Sequence, residues 1–310
     1  MKIATMATGG IGGFLAVRLT QAGHQVATIA RGAHLSAIRE NGLTLNAPDG
    51  DEGATTITPW IATDDPAQVG PVDAIVFGVK GNALESAAAA CLPMIGPDTV
   101  VIPFLNGVEA ADRLLGILPE HSVAKGVAHI STTISAPGVI QQVGTFNRFV
   151  FAERDSRRSA RIDALRSAFN AAGASSPATM NIDRELWSKF VLFSAMSGIT
   201  AAARCRIGDV LEQPPLAELF QAVVAETAAV ARARGVALPS TAEQDTWRIV
   251  LGLPKDMRAS TAIDVEAGRP LEIDWVSGAV PRLAQEVGLS APANSMLYAV
   301  LLPHKGGKGS

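Results

Sequence analysis

Residues 1–31 read MKIATMATGGIGGFLAVRLTQAGHQVATIAR, and this stretch decides the fold of the N-terminal part of the chain. A short apolar strand is predicted at residues 2–6, and the glycine-rich run from Ala7 to Gly13 follows it. A helix is predicted at residues 11–22 and a second strand at residues 24–30. This succession of strand, glycine-rich turn, helix and strand within about 30 residues is typical of domains that bind a dinucleotide.

The glycine-rich turn departs from the usual G-x-G-x-x-G pattern at one position. Ala7 stands at the first glycine, whereas Gly9 and Gly12 keep the other two. Free N–H groups and the helix dipole at the start of the helix favour a bound anion, so we expect a pyrophosphate here. A glycine-rich surface turn without a ligand is the alternative. The predicted cofactor-binding residues of the turn are Ala7, Thr8, Gly9, Gly10, Ile11 and Gly12.

The end of the second strand indicates which dinucleotide is bound. NAD sites place an acidic residue there, which binds the ribose 2′-hydroxyl. This strand ends instead on Arg31. An arginine can bind a 2′-phosphate through paired, charge-assisted hydrogen bonds, so the sequence favours NADP(H) over NAD. The alternative is a solvated surface arginine.

Composition narrows the class of protein. The chain has 310 residues, 48% of them hydrophobic and 18% charged, with a net charge of −3, which is typical of a globular protein. This charge does not favour nucleic acid or an anionic membrane as a partner. Cys91 and Cys205 belong to no cluster with metal-ligand spacing, so no metal site is predicted. With no secretory signal and no apolar run of about 18 residues, we expect a soluble cytoplasmic protein without a membrane partner.

Two later strands also end on polar residues. Residues 73–79 and 99–105 are apolar runs typical of buried parallel strands, and Lys80 and Asn106 directly follow them. In an open parallel sheet, ligands bind at the carboxyl ends of the strands. Arg31, Lys80 and Asn106 are therefore expected at one edge of the sheet.

The remaining pattern predicts two domains and a tail. Further strands are predicted at residues 42–46, 52–61, 123–132, 139–152 and 175–180. Beyond them the pattern is almost continuously helical. We predict an α/β fold in which a Rossmann-type parallel-sheet domain (residues 1–180) precedes an all-α domain (residues 181–304). The low-complexity residues 305–310 are predicted to be disordered.

The helix predicted at residues 183–200 is the most apolar of the chain, and it carries Lys189. A lysine in such a helix either extends its ammonium group to the surface or faces a cleft with a lowered pKa. In a cleft it can donate a proton to a developing alkoxide. Phe193 and Ser197 follow at i+4 and i+8, so the three side chains share one stripe.

Two further residues have both a functional and a structural interpretation. Glu272, flanked by apolar residues, is predicted to orient a substrate hydroxyl or the lysine ammonium, or else to be a charge at a helix N-terminus, a role that Asp274 fits better. Ser260 is predicted either to bind a substrate carboxylate or to cap a helix.

Taken together, these segments resemble the ketopantoate reductases over nearly the whole chain, in the same order and spacing. The segments that carry the resemblance are Ala7 to Gly13, Ala30-Arg31-Gly32, Val79-Lys80, Leu105-Asn106-Gly107-Val108, Trp187-x-Lys189, Ser260, and Glu272-Ile273-Asp274 with Gly278.

The resemblance implies NADPH-dependent reduction of 2-dehydropantoate to (R)-pantoate, a step of pantothenate biosynthesis. It also implies a Rossmann domain followed by a helical domain of the 6-phosphogluconate-dehydrogenase-like type, with the active site between them. The roles that it implies are a catalytic proton donor (Lys189), an active-site carboxylate that also contacts the cofactor (Glu272), an asparagine near the nicotinamide ribose (Asn106), a cofactor-binding lysine (Lys80) and a substrate-binding serine (Ser260).

The chain departs from the family pattern one and two turns after the catalytic lysine. The family has substrate-binding asparagines at these positions, and this chain has Phe193 and Ser197. Losing a polar partner loosens or redirects specificity. The alternatives are therefore a reductase of the same fold for a more apolar oxo acid, or an NADP-sensing protein without turnover. A homodimer is possible, and the sequence leaves both the substrate and the oligomeric state open.

Overall fold

The computed structural model describes residues 1–48 and 53–308. The chain divides into two compact units, the first formed by Met1–Leu105 and Glu109–Ile182 and the second by Asn106–Val108 and Asp183–Ser310. The division after Ile182 lies two residues beyond the predicted boundary. The short segment Asn106–Val108 is the exception, since it belongs to the second unit although it lies within the sequence of the first.

The first unit combines strands and helices. Its strands are β1 (Lys2–Met6), β2 (Gln25–Ile29), β3 (Leu43–Asn46), β4 (Ala54–Ile57), β5 (Ile61–Thr63), β6 (Val72–Phe77), β7 (Ile95–Pro103), β8 (Ala124–Ala136) and β9 (Val139–Glu153). Its helices are α1 (Gly10–Gln21), α2 (Gly32–Asn41), α3 (Leu84–Cys91), α4 (Ala110–Leu115) and α5 (Ala160–Ala171). Glu52, the first residue of one predicted strand segment, lies outside the described residues.

The main sheet has the order β5-β2-β1-β6-β7, and its neighbouring strands are parallel. Its central strands are buried because helices and further strands cover the sheet, which is why they read as continuous apolar runs. The strand order changes direction at β1, which lies between β2 and β6. The segments that follow these three strands therefore share the sheet edge at which such folds bind ligands.

A second sheet, of order β4-β3-β9-β8, packs on helix α1. The contact is close at Gly13, where an added Cβ would lie 2.5 Å from the Ile140 side chain of β9. The strand predicted at residues 175–180 is not formed. Ser175 instead makes a single isolated β-bridge to Arg148, and residues 176–180 have no regular secondary structure.

Helices make up the second unit, as the sequence predicts. They are α6 (Ile182–Ala202), α7 (Ile207–Glu212), α8 (Pro214–Ala233), α9 (Ala242–Leu251), α10 (Ser260–Ala267), α11 (Ala279–Glu286) and α12 (Pro292–Leu301). α6 and α12 pack closely at Gly198, where an added Cβ would lie 2.8 Å from Leu297. Among the described residues, no helix is both long and apolar enough to cross a membrane.

The C-terminal residues differ from the predicted disordered tail. The Lys305 carbonyl accepts a hydrogen bond from the Leu271 amide (2.9 Å), and the Lys308 amide donates to the Gly268 carbonyl (2.9 Å). The Lys305 ammonium also lies 2.5 Å from the Asp274 carboxylate. These contacts fix residues 305–308 against the second unit, although their low-complexity sequence predicts no order. Gly309 and Ser310 lie outside the described residues.

Candidate cofactor-binding and active site

The glycine-rich turn occupies the carboxyl end of β1. Gly9 is the N-cap of α1, and the helix begins at Gly10. The first amides of a helix have no partners within it and carry the positive end of the helix dipole. The turn therefore presents N–H groups at the sheet edge expected for a ligand, which is the arrangement that holds a pyrophosphate.

The glycines of this turn differ in what requires them. An added Cβ at Gly12 would lie 2.3 Å from the Ala7 carbonyl oxygen, and one at Gly10 would lie 2.5 Å from the Thr132 carbonyl oxygen. A Cβ at Gly9 would meet its nearest atom, the Gly78 carbonyl oxygen, at an ordinary 3.7 Å. Packing explains Gly10 and Gly12, whereas the bare surface of Gly9 fits the close approach of a cofactor phosphate.

Thr8 is held from three sides. Its amide donates to the Ile29 carbonyl (2.8 Å) and its hydroxyl pairs with that of Thr5 (2.9 Å). Its carbonyl oxygen lies 2.8 Å from Nε2 of His34 on α2. Sequence reasoning missed His34, because its second partner, Gly138, lies 104 positions further along the chain.

Arg31 and Lys80 lie at the ends of the strands that flank β1. Arg31 follows β2 as the N-cap of α2, and its side chain is exposed. Lys80 follows β6, at the start of a short 3-10 turn, and is also exposed. Both cations therefore lie along the sheet edge that carries the glycine turn, where they could approach phosphate groups.

Lys189 lies in the second unit, partly buried on α6. Its ammonium group donates a hydrogen bond to Oδ1 of Asn106 (3.1 Å) and lies 5.4 Å from the centroid of the Phe193 ring. Burial lowers the pKa of Lys189 to about 8, and the negative charge of Glu272 opposes this shift. A lysine with such a pKa is suited to proton transfer near neutral pH.

The chain places Asn106 beside Lys189 through the neighbouring glycine. Gly107 has φ +94°, and an added Cβ would lie 2.6 Å from the Trp275 carbonyl oxygen. Only glycine fits this close approach without strain. The segment that contains Asn106 therefore packs on the short 3-10 turn Ile273–Trp275, whose N-cap is Glu272. One contact thus brings together the segments that carry the lysine's amide partner and its carboxylate.

The other carboxylate of this turn has structural partners. Asp274 accepts a hydrogen bond from the Tyr298 hydroxyl (2.9 Å) and pairs with Lys305. Burial would raise the pKa of Asp274, but its bonds with Lys305 and Tyr298 hold it below the usual value. Asp274 therefore joins this turn to α12 and to the C-terminal residues, which leaves Glu272 as the carboxylate whose charge acts on Lys189.

The predicted substrate residues further along α6 meet an unexpected partner. Ser197 is buried, and its hydroxyl lies 2.7 Å from that of Thr261 on α10. Thr261 is also buried, whereas Ser260, the first residue of α10, is exposed. Sequence reasoning missed Thr261, because the pairing joins residues 64 positions apart.

Comparison with known proteins gives a consistent result. The family model described as "Ketopantoate reductase PanE/ApbA" matches residues 3–156, and "Ketopantoate reductase PanE/ApbA C terminal" matches residues 181–305. A 2-dehydropantoate 2-reductase of Mesorhizobium japonicum is 30% identical over 97% of this chain and 97% of its own. The crystal structure of a PanE/ApbA family ketopantoate reductase from Ralstonia eutropha JMP134 is 30% identical, with a TM-score of 0.89 and coverage of 98% of both chains.

The same fold also occurs in a protein with another activity. A D-mandelate dehydrogenase, solved with NADH and anilino(oxo)acetate, has a TM-score of 0.89 over 98% of both chains. It is 20% identical to this chain, which is a likeness of fold alone. The fold by itself therefore does not select one oxo acid.

Proposed function

The chain belongs to the ketopantoate reductase family and is an oxidoreductase, and from this premise we propose that it reduces a 2-oxo acid to a 2-hydroxy acid with NADPH. The first candidate reaction is the conversion of 2-dehydropantoate to (R)-pantoate, a step of pantothenate biosynthesis. The observation that carries the proposal is the partly buried Lys189, which Asn106 holds and whose pKa is lowered to about 8.

Lys189 is the proton donor in this proposal. Bound NADPH supplies the hydride that reduces the substrate carbonyl. Lys189 gives its proton to the oxygen that becomes the new hydroxyl group, and Glu272 orients the ammonium group or a substrate hydroxyl. Asn106 orients Lys189 and the nicotinamide ribose, while Ser260 binds the substrate carboxylate.

Residues of the first unit are proposed to hold the cofactor. Ala7 to Gly12 would bind the pyrophosphate through backbone N–H groups, and Lys80 would contribute a positive charge. Arg31, exposed at the end of β2, would bind the 2′-phosphate and so prefer NADPH to NADH. Replacing Arg31 by alanine should weaken NADPH binding much more than NADH binding.

The test is the oxidation of NADPH in the presence of a panel of 2-oxo acids. Steady-state kcat/KM should be highest for 2-dehydropantoate if this is the substrate. No turnover with any member of the panel, by an unmodified protein that does bind NADPH, would support the NADP-sensing alternative. Light scattering on the same preparation distinguishes a monomer from the homodimer that the sequence leaves open.

A second candidate, a more apolar 2-oxo acid, is favoured by the stripe of α6 that carries Lys189. The Phe193 ring next to the ammonium group cannot hydrogen-bond a substrate hydroxyl, and Ser197 is buried with its hydroxyl engaged by Thr261. A site of this kind would suit an aliphatic or aromatic side chain.

The variant Phe193→Asn separates the two candidates. If the natural substrate is apolar, the unmodified protein should prefer apolar members of the panel, and the variant should shift kcat/KM towards 2-dehydropantoate. Phe193→Leu, which keeps the apolar character, is the matched control. If the unmodified protein already prefers 2-dehydropantoate, the second candidate is wrong.

A further inference from the structure

His34 connects the glycine-rich turn to a distant turn of the second sheet. We infer that His34 is a positioning residue: it fixes the orientation of the Thr8–Gly9 peptide and thereby sets the affinity for the pyrophosphate of the dinucleotide. This inference rests on the proposed function, because it concerns the same cofactor. His34 lies three residues after Arg31, on the first turn of α2.

The two ring nitrogens of His34 have distinct, complementary partners. Nε2 lies 2.8 Å from the Thr8 carbonyl oxygen, which can only accept, so Nε2 carries the proton. The Gly138 amide donates to Nδ1 at 2.9 Å, so Nδ1 is an acceptor. Both bonds are satisfied at once only by the neutral ring in this one tautomer. Burial lowers the pKa of His34 below its ordinary value, which is consistent with a neutral ring.

The Gly138 end of this connection is fixed. Gly138 has φ +76°, and an added Cβ would lie 3.1 Å from Cβ of Ala37 on α2. The Gly138 carbonyl also accepts a hydrogen bond from the Thr44 amide of β3 (2.9 Å). Helix α2, which carries His34, is therefore packed against Gly138, the residue that donates to Nδ1. This packing gives the imidazole ring a fixed position from which Nε2 can hold the Thr8 carbonyl.

The orientation of the Thr8 carbonyl decides that of the next amide. In a planar trans peptide the C=O and the following N–H point in opposite directions, and the Thr8–Gly9 bond is trans. While His34 holds the carbonyl, the Gly9 N–H must point away from α2. Packing against the rest of the protein does not require a glycine at position 9, because an added Cβ would meet its nearest atom only at 3.7 Å. A rotated peptide would present a carbonyl oxygen to the phosphate in place of a donor.

Two substitutions separate the two hydrogen bonds. In His34→Gln the side-chain amide nitrogen is as many bonds from Cα as Nε2, so it can still donate to Thr8. In His34→Asn the side-chain oxygen corresponds to Nδ1, so it can accept from Gly138 but cannot reach Thr8. Each variant loses one hydrogen bond, and the pair is therefore matched for stability.

The measurement is the Kd for NADPH from its fluorescence, with the melting temperature of each variant. We expect His34→Asn to bind NADPH about fivefold more weakly, which corresponds to one neutral hydrogen bond, and His34→Gln to bind within about twofold of the unmodified protein. His121→Asn, at an exposed histidine in a different turn, is the control and should bind NADPH unchanged. If His34→Asn does not fold, His34→Ala takes its place as the variant without the Thr8 bond.

Several results would overturn the inference. Equal affinities of His34→Asn and His34→Gln, whether both weakened or both unchanged, would mean that His34 only joins α2 to the second sheet. Tighter binding by His34→Asn than by His34→Gln would contradict it directly. If the unmodified protein binds no NADPH, the proposed function and this inference fail together. If the unmodified protein and all His34 variants bind NADPH with the same Kd, only this inference fails.

Discussion

The glycine-rich turn of the first unit and the Lys189 cluster of the second are built in different ways. The Lys189 cluster consists of Lys189 with Asn106, Phe193 and Glu272. Main-chain atoms form the turn, and its glycines are required where a Cβ would strike a carbonyl oxygen. Side chains form the cluster, where an ammonium group, an amide and an aromatic ring are held at defined distances. The turn can therefore tolerate alanine at position 7 without losing its shape, whereas we expect a changed side chain at position 193 to alter what the cluster binds.

The largest expected effect of this difference is at Lys189. Lys189→Ala should lower kcat by about 10² to 10⁴, the usual contribution of a positioned general acid, and leave the Kd for NADPH unchanged. Steady-state kinetics and NADPH titration on the same preparation measure the two quantities. Lys255→Ala, at an exposed lysine paired with Glu212, is the control and should keep full activity. Retained turnover in Lys189→Ala would show that another group donates the proton.

The next largest effect is expected at Gly12 in the turn. In Gly12→Ala the new methyl group would lie 2.3 Å from the Ala7 carbonyl, a backbone atom that cannot move aside without distorting the turn. We expect a loss of about 2 kcal/mol of unfolding free energy, together with loss of NADPH binding. Urea unfolding measures the first and fluorescence titration the second. A variant of unchanged stability would show that the turn is looser than its packing indicates.

Gly9→Ala should separate binding from stability. Its backbone angles (φ −85°, ψ −154°) suit alanine, and the new methyl group meets protein only at 3.7 Å. We therefore expect unchanged urea unfolding, but weaker NADPH binding, by about tenfold, because the methyl group would occupy the path of a phosphate. Equal NADPH affinity in Gly9→Ala and the unmodified protein would place the pyrophosphate elsewhere.

Much of the fold follows from local pattern. The strands and helix of residues 1–31 are observed within one or two residues of the predicted bounds, because apolar periodicity and glycine act over short distances. The helical second unit is predicted for the same reason, and the family resemblance is confirmed by comparison. The predicted strand at residues 175–180 is wrong, since strand formation depends on a distant partner, which here meets it only at Ser175.

The sites show the same limit. Lys189, Asn106 and Glu272 could be singled out as candidates because each lies in a recognisable segment, but the hydrogen bond between Lys189 and Asn106 was not predicted. Thr261 and His34 could not be singled out, because their roles depend on partners 64 and 104 positions away. The defined conformation of residues 305–308 could not be predicted either, since it depends on contacts with Leu271, Asp274 and Gly268. Long-range pairing leaves no periodic signal in the sequence.

The pH dependence of the reaction should report the Lys189 cluster alone. In the proposed mechanism reduction requires protonated Lys189, so kcat/KM for the oxo acid should fall about tenfold per pH unit above about pH 8. The Glu272 charge raises the pKa of Lys189 against the effect of burial, and Glu272→Gln should therefore move this decline to lower pH. Initial rates from pH 6 to 10 test both statements. A decline at the same pH in Glu272→Gln would show that Glu272 does not act on the lysine.

The smallest effect is expected in the pH dependence of stability, through the histidines of the first unit. Burial is the main cause that lowers the pKa of His34 and of His24 below the ordinary 6.5. As the pH falls below about 6.5, the unfolded chain takes up these protons before the folded one does, so the free energy of unfolding decreases; above that pH the two states do not differ in these protons. Urea unfolding at pH 7.5 and 5.5 measures the decrease, which should be smaller in His34→Gln because only His24 then contributes. Equal decreases in the two proteins would mean that His34 is not the neutral ring that joins the glycine turn to Gly138 through two hydrogen bonds, and Thr8 would then depend on the Ile29 carbonyl and the Thr5 hydroxyl.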